Sequence, residues 1–192
     1  MNNYFVILAA GKSKRFHKKI AKHFNKYKNK EVIHHSVEKA LDSKLFKKLI
    51  IVTNNFNYFK KKKYSKNISI IKGGKDRSDS SLKALKYIKK YKPLNVFIHD
   101  AARPNFSIKL LKNISKNLKK NKAVVPVISS KDSIKYKSQN QIFNLNRNNS
   151  FLAQTPQAFR FKDLYNLAIN EKSKVTDEAT LFINKNYKVK FI

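Results

Sequence analysis

The 192-residue chain carries 44 Lys and Arg against 11 Asp and Glu, a formal net charge of +33. Its 41% hydrophobic and 12% aromatic content is enough to build a core, which excludes an intrinsically disordered chain. No apolar run approaches the ~18–20 residues of a membrane-spanning helix, and the lack of cysteine excludes disulfide scaffolds, Cys-ligated zinc and thiol nucleophiles.

Residues 4–8 (YFVIL) predict a buried strand that leads into a tight turn at Ala9-Ala10-Gly11. Basic residues follow this run instead of preceding it, unlike a secretory signal peptide. A helix is expected over 31–41, a strand over 49–52, and a third strand over 68–71 ending at Gly73-Gly74. Residues 78–90 place Leu82, Leu85 and Ile88 on one helical face, with Ser and Asp at the start. A fourth strand over 95–99 runs into Asp100; a helix follows over 107–120 and a fifth strand over 123–128. Strands alternating with helices predict an α/β fold, a mainly parallel sheet flanked by helices. Residues 129–150 break that rhythm. They are polar, alternate weakly and predict a β-hairpin arm projecting from the body. Helices over 161–170 and 177–183 and a strand over 189–192 complete the pattern. With no repeat or linker, a single domain over 1–192 is expected. The sequence stops within an apolar strand, so its C-terminal end is expected to be incomplete.

Composition makes the rare residues informative. Of the basic residues 39 are Lys and only five are Arg, beside abundant Asn, Ile, Phe and Tyr. That is the signature of a coding sequence drifted towards A and T, with Lys as the generic surface charge. Retained Arg then marks sites that need a planar fork for phosphate or carboxylate, and four of the five (Arg15, Arg77, Arg103 and Arg147) lie in loops or the arm. Only three glycines remain, Gly11, Gly73 and Gly74. Glycine is expected where the backbone needs positive φ or a ligand approaches closely. In open α/β sheets ligands bind beyond the carboxyl ends of the strands, where these glycines and Asp100 collect.

Several segments together carry a resemblance. Leu8-Ala9-Ala10-Gly11-Lys12-Ser13-Lys14-Arg15, with Lys22 eleven residues after Gly11, resembles the signature loop of nucleotidyltransferases that activate sugars and alditols. Ala21 stands where that loop often has Pro. Gly73-Gly74-Lys75-Asp76-Arg77-Ser78-Asp79-Ser80 and His99-Asp100-Ala101-Ala102-Arg103-Pro104 resemble the GG-x-x-R-x-x-S and HDAARP loops of the 2-C-methyl-D-erythritol 4-phosphate cytidylyltransferase family. Asp132-Ser133, Asn146-Arg147-Asn148, Thr155-Pro156-Gln157 and Thr176-Asp177-Glu178-Ala179 extend the similarity in order, from residue 4 to about 183. Ser133 replaces a family Thr, and the Asn-x-Lys-x-Thr motif that the family carries after this region has no match here.

The resemblance implies a cytoplasmic enzyme of Rossmann-like nucleotidyltransferase fold that transfers CMP from CTP to 2-C-methyl-D-erythritol 4-phosphate, releasing pyrophosphate, in non-mevalonate isoprenoid synthesis. It implies that Arg15 and Lys22 stabilise the transition state. Cytosine would lie against the backbone at Ala9, Ala10, Gly74 and Lys75, with Ser80 reading the base and Gly11 and Asp100 also on the nucleotide side. Arg103, Ser133, Arg147, Thr155 and Thr176 would form the alditol phosphate side. Mg²⁺, or another divalent cation, would be held mainly by the CTP phosphates, with Asp100 as the candidate protein contact. The arm implies a homodimer in which Ser133 and Arg147 serve the neighbouring subunit.

The chemistry agrees with such a site. An attacking phosphate monoester has a second pKa near ~6 and is largely dianionic at neutral pH, so no general base is needed. Positioning and electrostatic stabilisation then carry the reaction. His17, His23, His34 and His35 lack metal-site spacing, and His99 is expected to shape the loop beside Asp100. A related cytidylyltransferase for ribitol 5-phosphate would share the CTP loops. A guanylyltransferase for the molybdenum cofactor would share only the first. The net charge also suggests a nucleic-acid-binding protein, but Arg is scarce and the lysines follow no single stripe, so neither a specific nucleic acid nor a membrane partner is expected.

Overall fold

The computed structural model describes residues 2–11, 21–60 and 64–192. Its first strand, β1 (Asn3–Ala9), is almost wholly buried, as a run apolar on both faces requires. A 3-10 turn (Lys22–Phe24) and a short ribbon, β2 (Lys26–Tyr27) with β3 (Lys30–Glu31), lead into α1 (Val32–Asp42). Then come β4 (Lys48–Thr53), α2 (Phe56–Lys60), β5 (Ile68–Lys72), α3 (Arg77–Lys89), β6 (Asn95–Asp100) and α4 (Ile108–Asn117). The second half holds β7 (Ala123–Val125), β8 (Val127–Ser129), β9 (Ile134–Ser138), β10 (Gln141–Leu145), β11 (Phe151–Ala153) and β12 (Gln157–Arg160). It ends with α5 (Phe161–Asn170), α6 (Ala179–Ile183) and β13 (Val189–Phe191).

Seven strands form one sheet in the order β13-β7-β12-β6-β1-β4-β5. All pairings are parallel except those of β12, which runs antiparallel to both β6 and β7. This is the mainly parallel α/β architecture expected. Alternation along β1 feeds two cores. Phe5 and Ile7 pack with Ile33, Val37, Phe97, Leu111 and Ile114 beneath α1 and α4. Tyr4 and Val6 pack with Ala84, Leu85, Ile88, Phe159, Leu164 and Phe182 beneath α3, α5 and α6. The parallel register sets Leu8 of β1 opposite Asp100 of β6, and Ala9 opposite Thr53 of β4. The loops after β1, β5 and β6 therefore emerge together.

Three details depart from expectation. The strand over 123–128 is two strands, because Pro126 has no N–H for a ladder and the chain changes sheets there: β7 stays in the main sheet while β8 pairs with β11. The helix α2 and the antiparallel insertion β12 were not legible in the residue pattern. The arm forms as a hairpin, β9 against β10, with Gln139 at φ 50° in its turn. Among the described residues, no helix is long and apolar enough to cross a membrane.

Candidate active site

The Gly73-Gly74 loop is held against the first loop by contact. Gly73 N–H donates to the Thr53 carbonyl at 3.1 Å. A Cβ on Gly73 would overlap the Ala10 Cβ and sit 3.2 Å from Asn54 Oδ1, and one on Gly74 would overlap the Asp79 carboxylate. No glycine has positive φ. Of the two reasons expected for glycine, positive φ is thus excluded: close packing bars a side chain at Gly73 and Gly74, whereas a Cβ at Gly11 meets nothing within 4 Å among the described residues.

This loop caps α3. Asp76 accepts the Asp79 N–H at 2.8 Å, which holds its carboxyl below the ordinary value. Ser80 Oγ accepts from Gly74 N–H at 2.9 Å and donates to the Asp76 carbonyl at 2.7 Å. The Lys75 N–H donates to Asp79 Oδ2 at 2.9 Å. The Ser80 proton and the Gly74 and Lys75 N–H groups are therefore committed to the loop, which leaves Ser80 a single lone pair for a ligand.

Asp100 ends β6 between two guanidinium groups. Arg77 Nε lies 3.1 Å from its Oδ1, and Arg103 Nε 3.2 Å from its Oδ2. Arg77 also grips Glu178 with both Nη atoms, at 2.9 and 3.0 Å. Burial opposes the Arg77 charge, but Glu178 and Asp100 outweigh it and hold the guanidinium above its ordinary value. Arg103 Nη1 donates to Gln154 Oε1 at 2.8 Å. Thr155 Oγ1 accepts the Asp100 N–H at 3.3 Å and lies 2.9 Å from His99 Nδ1. The other ring nitrogen of His99 meets Ser36 Oγ at 3.1 Å. Burial pushes His99 down to about 3, so it is neutral and shapes the loop.

Behind this cluster, Gln157 Nε2 donates to Asp177 Oδ2 at 2.8 Å, and its Oε1 accepts the Ala179 N–H at 3.3 Å. These bonds anchor the segment that displays Thr176, which is exposed. The structure thus gathers Ala9, Ala10, Gly74, Lys75, Ser80, Asp100, Arg103 and Thr155 at one end of the sheet. Lys22 is exposed in its 3-10 turn, whose carbonyl accepts the Asn25 N–H at 3.3 Å. Arg15 lies outside the described residues. Ser133 and Arg147 are exposed on the arm, where Arg147 Nη1 donates to the Lys131 carbonyl at 3.2 Å. No hydrogen bond among the described residues joins either to the Asp100 cluster. The residue pattern marked Arg77 as a fork for phosphate or carboxylate, and its partner here is the carboxylate of Glu178. Glu178 appeared only within the Thr176-Asp177-Glu178-Ala179 match, without a role of its own, because its burial is a tertiary fact.

The family profile described as IspD, 2-C-methyl-D-erythritol 4-phosphate cytidylyltransferase, matches residues 4–192. The chain is 47% identical to the bifunctional enzyme IspD/IspF of Pelagibacter ubique, over 100% of this chain and 52% of that protein. It is 34% identical to the 2-C-methyl-D-erythritol 4-phosphate cytidylyltransferase of Thermosipho africanus, over 96% of this chain and 85% of that one. Among solved structures, the 4-diphosphocytidyl-2C-methyl-D-erythritol synthase of Anaerococcus prevotii superposes with a TM-score of 0.86 at 28% identity, covering 99% of this chain and 86% of its own. The bifunctional IspDF of Campylobacter jejuni gives 0.86 at 29%, covering 100% of this chain and 49% of its own. The chain therefore spans about half the length of the bifunctional relatives it matches and most of the single-function ones.

Proposed function

The chain belongs to the 2-C-methyl-D-erythritol 4-phosphate cytidylyltransferase family, and we propose that it transfers CMP from CTP to 2-C-methyl-D-erythritol 4-phosphate with release of pyrophosphate. The observation that carries this reading is the meeting of Ala9-Ala10, Gly73-Gly74 and the doubly paired Asp100 at the carboxyl end of the sheet. Closely packed loops bearing only small side chains at Ala9 and Ala10 suit the approach of a flat base. A carboxylate held at both oxygens by guanidinium groups suits the hydroxyls of a ribose.

In this mechanism the alditol phosphate oxygen attacks the α-phosphorus of CTP and the bond to the β-phosphate oxygen breaks. Both partners are anionic, so the work is to bring them together and hold the growing charge. Arg15 and Lys22 supply cations at the α-phosphate. Cytosine lies on Ala9, Ala10, Gly74 and Lys75, and the remaining lone pair of Ser80 meets its amino group. Gly11 lets the triphosphate approach, and Asp100 faces the ribose. Arg103, Thr155 and Thr176 orient the alditol. Among the described residues no three His, Asp or Glu side chains converge as a metal site. We place the Mg²⁺ ion mostly on phosphate oxygens and water, with Asp100 as its candidate protein contact. Bound there, the ion would neutralise charge on the triphosphate.

The arm completes the reading. Its Ile142, Phe143 and Leu145 are exposed, with Ile142 at 71%, and an apolar strand left in water favours a covering partner. A second copy of this chain fits, with Arg147 clamping the alditol phosphate of the neighbouring site and Ser133 beside it. The test is to incubate the protein with CTP, Mg²⁺ and either 2-C-methyl-D-erythritol 4-phosphate or ribitol 5-phosphate, and to follow pyrophosphate. Release with the first substrate alone is expected. Release only with ribitol 5-phosphate, or with neither, would overturn the assignment.

A further inference from the structure

Of the eleven acidic residues only Glu178 is buried, at 2% exposure. A carboxylate withdrawn from water is costly unless it is paired with good geometry. Glu178 has that pairing in the two parallel bonds from Arg77 Nη1 and Nη2. On another edge of the same guanidinium, Arg77 Nε donates to Asp100 Oδ1 at 3.1 Å. Because Glu178 holds the guanidinium by two atoms, its plane is set, and so is the direction from which Nε approaches Asp100. The second clamp on Asp100, Arg103, is 48% exposed at its side chain and less firmly held.

We propose that Glu178 is a positioning residue for the cytidylyl transfer: acting through Arg77, it fixes the Asp100 carboxylate in the orientation that receives the ribose of CTP. Neither Glu178 nor Arg77 touches substrate in this scheme. Three chain segments meet in it, the start of α3 after the Gly73-Gly74 loop, the end of β6, and the 176–179 segment. The role rests on the nucleotide-site reading given above, and its test keeps the two separable.

The test is a double-mutant cycle on steady-state kinetics, with Glu178→Gln, Asp100→Asn and the two combined, beside thermal melting of each. Gln keeps the shape of the side chain and removes the charge that aligns the fork. Glu178→Gln should raise the KM for CTP about tenfold while that for the alditol phosphate changes less than about twofold. In the Asp100→Asn background the same substitution should change the KM for CTP less than about twofold, because its effect passes through Asp100. Multiplicative effects in the double variant would overturn the positioning role. So would an equal rise in both KM values, or a lowered melting temperature with the KM for CTP unchanged. Arg77→Lys, which keeps a charge but not the three-point grip, enters the same cycle with the same expected coupling, so the role stays testable if Glu178→Gln does not fold. A wild-type chain that releases no pyrophosphate with either alditol phosphate would overturn the functional reading and this role with it. An active wild type with multiplicative variants overturns the role alone.

Discussion

The Thr155 hydroxyl lies 2.9 Å from His99 Nδ1 and also receives the backbone N–H of Asp100, so one oxygen ties the loop after β11 to the end of β6. His99 is fully buried, and its other nitrogen meets Ser36. Both partners are hydroxyls that can give or take a proton, so either neutral tautomer is satisfied. Thr155→Val removes one partner from a buried ring nitrogen and should cost about 1–3 kcal/mol of stability. Thr155→Ser, which keeps the oxygen, should cost far less. Denaturant unfolding of both variants checks this; equal losses would show that the methyl group, not the bond, matters.

The same burial makes stability depend on pH. Burial lowers His99 to about 3 and His23 to about 4, both below the ordinary histidine value. Below about pH 6.5 the unfolded chain takes up protons at these positions and the folded chain does not, so stability falls as pH falls. The slope approaches about 1.4 kcal/mol per pH unit for each histidine. Melting temperatures measured from pH 7 down to pH 5 should decline steadily. A flat profile there would contradict the buried neutral state.

Gly73 packs directly against Ala10 of the loop after β1. Gly73→Ala drives a Cβ into Ala10, and overpacking of this kind costs about 1–3 kcal/mol. The Ala9-Ala10 backbone must shift, so kcat/KM for CTP should fall about tenfold or more. Gly11→Ala adds a Cβ with nothing within 4 Å among the described residues and should leave the melting temperature unchanged. Comparing the two melts separates crowding from any general intolerance of alanine in these loops.

Charge at the α-phosphate should be lost with Arg15→Ala or Lys22→Ala. Each is expected to lower kcat by ~10²–10³, the range for removing one preorganised electrostatic group. Binding of CTP should suffer less. Turnover that remains intact at saturating CTP would remove both from the transition-state role.

An arm that crosses a dimer can be tested by complementation. Arg15→Ala and Arg147→Ala chains, each nearly inactive alone, should recover roughly a quarter of wild-type activity when mixed. Half of randomly paired dimers are hybrids, and each hybrid has one intact site. No recovery in verified mixed dimers would place Arg147 and Arg15 in the same subunit's site.

Much of this architecture was legible along the chain because its signals are local. Apolar runs such as 4–8 and 49–52 report burial directly, and in so Lys-rich a sequence the few glycines and arginines stand out. The ladder that admits β12 was not legible. Gln157–Arg160 is four residues long, and what makes it a strand is its pairing with Ile98 to Asn95 on one side and Val124 on the other. Scarcity singled out Gly73 without its reason, which is the approach of Ala10 from a loop more than sixty residues earlier. It singled out Arg77 as well, and suggested phosphate or carboxylate equally. Only the tertiary structure decided for carboxylate, by bringing Glu178 from 101 residues away into the fork. Hydrophobic periodicity is written in neighbouring residues because burial is a property of each side chain. An ion pair or a hydrogen bond is a property of two, and which two meet is set by strand register and loop packing once the chain has folded.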